Sequence, residues 1–188
     1  MLKEVAPPVA SAEILDELAR HMRVSPDMAI AQQSEMTDAW IAGVAHLEAA
    51  LGLCLFPRSF VWRTRFESTG GTRAAIAPVR ALTSVSEVDD EGNLTSADLA
   101  SFVLRQTETR TIILSPELKG CEVEIVFDAG FGPDWADAPA DLRRAALMLA
   151  SHFFDERHAA GGDRRETVHA VAALVQPWRP VRVGLGRG

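Results

Sequence analysis

PADLRRAALMLASHFFDER, residues 139–157, decides how the rest of the chain is read. Leu142, Ala145, Ala146, Leu149 and Phe153 recur at helical spacing and form one apolar stripe. Pro139 suits a first helical position, where its missing N–H costs nothing. Asp137 and Asp141 bring negative charge to the positive end of the helix dipole. Arg157 and His158 fall in or beside the last turn, and Gly161-Gly162 supplies a stop. Such a helix is about 28 Å long, enough to cross a small domain. Leu142, Ala146, Leu149 and Phe153 are its expected core residues. Met148, Ala150 and Phe154 add apolar surface outside the stripe, which implies a second partner, another domain or another subunit.

Working back towards the start, two further helices are expected. Ser11 is a good N-cap for one through about Met22, with Leu15, Leu18 and Met22 on one face. Ser25-Pro26-Asp27 reads as a break, and a second helix runs from about Ala29 to Leu51. Its stripe is Met36, Trp40, Val44, Leu47 and Leu51, and Gly52 is placed to end it. Residues 1–10 read as a loose arm, with Pro7-Pro8 blocking a helix.

Between the helices the period shifts to alternation. Strands are expected from Phe60 to Phe66, Leu82 to Val88, Phe102 to Leu104, Thr111 to Leu114 and Val123 to Phe127, with a short extended piece from Ala74 to Ala77. Glu122 and Glu124 share one face of the last strand, so that face meets solvent. After the long helix, Asp163 and Glu166 are spaced like a capping box before a short helix with Val168, Val171, Ala172 and Val175 on its apolar side. The end, QPWRPVRVGLGRG, is too rich in Pro and Gly to be helical. The reading is α+β: one domain over residues 1–188, a helical body of two N-terminal and two C-terminal helices, a small antiparallel β subdomain inserted at 58–128, and an extended C-terminal arm at 176–188.

Composition narrows the function. With 188 residues and 47% hydrophobic content, a full core is available. A net charge of −7 argues against gripping nucleic acid through a broad basic face, and does not exclude a surface that lets DNA slide past, since like charge discourages sticking. Cys54 and Cys121 lie far apart in apolar contexts and read as buried free thiols. The opening residues lack the apolar core of a signal peptide, and no apolar run reaches the ~20 residues of a membrane span.

Catalytic and metal chemistry find little support. His152 and Glu156 are four apart and share a helix face, but His158 points about 120° away, so a helix-end hydrogen bond is the better reading. The acidic run at 89–93 lacks the alternating ligands of a calcium loop and reads as a hairpin turn. The terminal Gly-Leu-Gly-Arg-Gly follows no strand and opens no helix, so it is no phosphate loop. Arg143-Arg144 and Arg164-Arg165 read as solvated helix surface. No enzyme, metal or cofactor is expected.

Four segments, in this order, resemble the head–tail connector (adaptor) proteins of tailed bacteriophages, in particular the group found in prophages and in gene transfer agents of alphaproteobacteria. They are EILDELARHMRV at 13–24, AHLEAALGLCLFPRSFVW at 45–62, FDAGFGPDWADAPADLRRAALMLASHFFDER at 127–157, and PWRPVRV at 177–183 with the helix before it. The third is the most specific. The chain departs from the family in the charged stretch 159–166 and in having no tyrosine. The resemblance implies a structural virion or particle protein at the head–tail junction. Its copies would form a ring, twelve-fold in the family, between the portal protein and a tail-side connector or stopper. DNA would pass through the channel without sequence-specific binding, and no membrane is involved. A tail terminator or stopper, or a monomeric binding module, are the alternatives, and a sizing measurement separates the last.

The terminal arm is the expected portal-docking element. Trp178, Val181, Val183 and Leu185 are apolar, while Arg179, Arg182 and Arg187 are basic with no acid among them. Trp and Arg are the types most enriched in interface hot spots. Connectors of the family insert a C-terminal segment into the portal, which points the same way. Against this stands a tail folded back on its own helices through Trp178.

Overall fold

The computed structural model describes residues 1–5, 8–67, 70–107, 109–156 and 164–179. Among the described residues five helices run in chain order: α1 (Ala12–Met22), α2 (Pro26–Ala31), α3 (Gln33–Leu51), α4 (Ala140–Glu156) and α5 (Arg164–Leu174). The same residues form eight strands: β1 (Leu2–Glu4), β2 (Arg58–Arg65), β3 (Gly71–Arg73), β4 (Val79–Val88), β5 (Leu94–Ser96), β6 (Val103–Thr107), β7 (Arg110–Leu114) and β8 (Glu122–Ala129). The class is α+β, as the sequence implies.

The expected helix at 29–51 is two helices, and Ser25-Pro26 starts the first of them. The Ser25 hydroxyl accepts from the Met28 N–H at 3.4 Å. Pro26 occupies a first-turn position, where no N–H is needed. At Gln32 the backbone leaves helical geometry, with φ at −113°, and α3 begins. Gly52 then closes α3 in the left-handed region at φ 67°, its N–H donating to the Glu48 carbonyl at 2.8 Å.

α3 and α4 cross at close range. A Cβ placed on Gly43 would lie 2.8 Å from the Ala150 amide nitrogen and 3.2 Å from the Ala146 carbonyl oxygen. Glycine on one helix and alanines on the other therefore set the spacing. On α4, Leu142, Ala145, Ala146 and Leu149 are buried. Phe153 is only half-buried, its ring edge-on to His46, while Phe154 is the buried aromatic of the last turn. The surplus apolar face expected to need an outside partner is covered within the chain. α4 packs against α1, α3 and α5, so Ala150 is fully buried and Met148 half-buried.

A latch joins α1 to α4. Arg144 Nη1 lies 3.0 Å from His21 Nδ1. Burial and then Arg144 hold the His21 imidazole below its usual range. An imidazole with a lowered folded value resists protonation in the fold but not in the unfolded chain. Stability from this contact is present above about 6.5 and falls as pH drops through that value. His21→Gln is expected to flatten the acid side of a melting-temperature profile between about pH 6.5 and 5. An unchanged slope would show that the latch carries no proton linkage.

The larger sheet has the order β1-β2-β8-β4-β5, all antiparallel. β8 is central and buries Val123, Ile125, Phe127 and Ala129 on one face. The expected loose arm contributes β1, pairing Leu2 with Trp62 and Glu4 with Phe60. Its three side chains are exposed, so no apolar pattern announces it; backbone pairing to the otherwise open edge of β2 holds it. β5 is likewise wholly exposed and is held by pairing to β4 across the Asp89–Asn93 turn. The expected extended piece at 74–77 is displaced: β3 ends at Arg73, and Ala77 instead makes a single parallel bridge to Leu53. A second sheet, β3-β7-β6, packs one face on the first, with Ile113 and Thr111 fully buried. Helices and sheets thus enclose two adjoining cores.

Candidate assembly interface

The expected docking residues divide at Trp178. After α5 the chain makes one 3-10 turn, Gln176–Trp178. The Trp178 indole N–H donates to Asp141 Oδ2 at 2.6 Å, and its ring stands edge-on to Phe131 at 5.8 Å. Trp178 is therefore half-buried against the start of α4, the fold-back alternative, and belongs to the body. Arg179 is exposed. Val181, Arg182, Val183, Leu185 and Arg187 lie outside the described residues.

The loop that leads into α4 is built to receive this anchor. Gly130 has φ of 129°, and a Cβ there would lie 2.7 Å from the Phe56 carbonyl carbon. Only glycine fits both conditions. The Asp137 carboxylate accepts from the Asp134 N–H at 2.9 Å and closes the turn Trp135–Asp137. Trp135 stacks on Phe56 at 5.1 Å and donates to Glu17 Oε2 at 2.6 Å, which ties the loop to α1.

A buried ionic cluster, not anticipated from the sequence, joins the helical core to the larger sheet. Arg58 opens β2 and donates from Nη2 to Glu48 on α3. Nη1 donates to Glu4 of β1 at 2.6 Å, and Nη2 lies 3.3 Å from Cys54 Sγ. Glu48 Oε1 also accepts from the Leu55 N–H at 2.7 Å. Burial pushes the Glu48 carboxyl above the usual glutamate range, against the pull of Arg58 and the Leu55 N–H. Burial opposes the charge on Arg58, but the Glu48 carboxylate outweighs it, with Cys54 Sγ accepting a further hydrogen bond, and the guanidinium stays cationic. The sequence does hold a signal: Glu48 sits between Leu47 and Leu51 on the apolar stripe, where a carboxylate needs a partner.

This cluster is structural, not catalytic. Burial pushes the Cys54 thiol up to about 11, so the thiolate needed of a nucleophile does not form near neutrality. Among the described residues no three His, Cys, Asp or Glu side chains are grouped to hold a metal. His152 lies beside the Phe153 ring, the Glu156 side chain is not described, and His158 is outside the described residues. Among the described residues no helix is long and apolar enough to cross a membrane.

Among the described residues, two open surfaces with exposed apolar side chains lie on opposite kinds of element, one on helices and one on a sheet. One is a groove of about 750 Å³ along α1, α2 and the start of α3, floored by Leu15, Ala19 and Met36 and edged by Glu13, Asp16 and Arg20. Ile30 stands on its rim 75% exposed. The other is the outward face of the smaller sheet, where Val103 and Ile112 are exposed.

No protein-family model matches the chain, and no curated protein does. Solved structures do. The chain is 29% identical, over 100% of both chains, to a protein in the neck of an empty gene transfer agent particle computed with C6 symmetry, with a TM-score of 0.82. It is 29% identical, again over 100% of both chains, to one in the neck of the native particle computed with C12 symmetry, with a TM-score of 0.74. A protein of the native gene transfer agent virion is 28% identical over 100% of both chains, with a TM-score of 0.74. Neck components of this kind are structural and not enzymes. This likeness, covering both chains in full at 28–29% identity, supports a structural particle protein of the head–tail connector type, similar to the neck proteins of gene transfer agent particles.

Proposed function

We propose that the chain is the adaptor ring at the head–tail junction, docking on the portal protein and extending the DNA channel towards the tail-side connector or stopper. The full-length likeness to neck proteins of particles computed with C6 and C12 symmetry carries this reading. Copies would close into a ring by one repeated contact. The adaptor role, as against stopper or terminator, is supported by the polarity of the C-terminal region. Trp178 is fastened to the body by Asp141, and the sequence beyond it alternates apolar and basic residues without an acid. Such a segment suits strand addition or pocket insertion on an acidic partner.

Deleting residues 181–188 tests the adaptor role. The truncated protein is expected to melt within about 1–2 °C of the full chain, because the anchor is retained. It is also expected to lose attachment to portal-bearing heads in a head–tail joining assay. Normal joining would dispose of the docking role. The channel role makes a separate demand: a wall of acidic and neutral polar groups lets the duplex slide. The isolated protein is expected to show no retention on duplex DNA at physiological salt, and tight binding would overturn the conduit reading.

A further inference from the structure

The two open surfaces are complementary, and, resting on the ring reading, we infer that they meet: the outward face of β3-β7-β6 in one copy docks on the α1–α2 groove of the next. Cyclic rings require a heterologous contact, in which two different patches of the chain match each other. The sheet supplies one patch. Its inward residues are fixed by Gln106, which donates to the Val79 carbonyl, and by Thr111, whose hydroxyl accepts from the Val79 N–H at 3.1 Å. Strand alternation then turns Val103, Arg105 and Ile112 outward. Ile112 pairs with Arg73 on one side and Arg105 on the other, so one row reads Arg–Ile–Arg. Arg73 and Arg105 are exposed and make no ion pair among the described residues. No residue of the three strands is acidic, in a chain of net charge −7.

The groove supplies the matching patch. Its floor is apolar, Ile30 projects from its rim, and Glu13 and Asp16 are exposed along its edge. Arg20 also lines it, but its Nε donates to the Asp16 carbonyl at 3.3 Å, turned onto its own helix. Exposed Met28, 50% accessible on α2, extends the apolar surface. An Arg–Ile–Arg row against an apolar trough with carboxylates at its edge gives a greasy centre and a charged rim, the usual anatomy of a protein contact. A DNA backbone would use the arginines but gain nothing from Ile112 and Val103, so a second copy of this chain is the occupant.

Charge reversal at the rim tests this. All the substituted positions are exposed, and melting of each variant shows that the fold is kept. Arg105→Glu is expected to weaken self-association in sedimentation by about tenfold or more, since like charges then face each other. Asp16→Arg is expected to do the same, and the two variants mixed are expected to associate with each other better than either does alone. As a second reading, Ile112→Cys and Ile30→Cys proteins mixed under oxidation are expected to form a disulfide heterodimer in excess of either homodimer. If both reversals assemble like the wild type, the pairing of surfaces is wrong while the ring stands. If the wild type stays monomeric both alone and on portal-bearing heads, the ring reading fails and this contact with it. If Arg105→Glu assembles normally but loses duplex DNA binding, the face serves nucleic acid and the inference is overturned.

Discussion

Glu48→Ala is expected to destabilise the protein by roughly 3–5 kcal/mol, the cost of leaving a buried guanidinium without its main partner. The Arg58 and Glu48 side chains are 7% and 8% exposed, so water cannot replace the lost carboxylate. Glu4 remains on Nη1, but it is 37% exposed and sits on a three-residue edge strand. The Leu55 N–H loses its acceptor as well. Urea unfolding measures the effect as a lower midpoint. Because burial already works against the Glu48 carboxylate, the pair itself adds little over a well-packed apolar pair. The double variant Glu48→Leu with Arg58→Met is therefore expected to recover most of the loss. A single variant as stable as wild type, or a double variant no better than the single, would show that the cluster is not a coupled unit.

Leu149→Ala is expected to cost roughly 2–5 kcal/mol by leaving a cavity inside α4's packing. Leu149 is 5% exposed and flanked by Ala145, Ala146 and Ala150, which are too small to fill the space. Ala146 and Ala150 lie against the crossing helix where Gly43 lets it approach closely, so the walls cannot collapse inward. Phe153→Ala is expected to cost less than a buried phenylalanine would, since its side chain is already partly exposed to water. Thermal melts of the two variants rank them. Equal losses would mean that Phe153 is as enclosed as Leu149.

The helices are legible in the sequence because their signals are local and redundant. Ser11, Gly52 and the stripes of Met36–Leu51 and Leu142–Leu149 each repeat one message in period, cap and composition. Pro26 misleads because the same residue that breaks a helix interior opens a new one when a capping serine precedes it. β1 and β5 are invisible for a different reason. Their side chains are exposed, and what holds them is backbone pairing to other strands, which no periodicity encodes. Glu48 can be flagged from its place on an apolar face, but its partner Arg58 lies across a turn and only the fold reveals it. Trp178 reads as interface because its sequence neighbours do; the carboxylate that claims it, Asp141, is 37 residues away.

That carboxylate has a further consequence. The bond from the Trp178 indole to Asp141 at 2.6 Å fastens the turn after α5 to the first turn of α4, and the Phe131 ring backs it at 5.8 Å. That corner cannot lift away without breaking both contacts. Its opening is therefore expected to be coupled to the loosening of α4 rather than to be a separate fraying of the last turn, and amide exchange at Trp178 should track that of the start of α4.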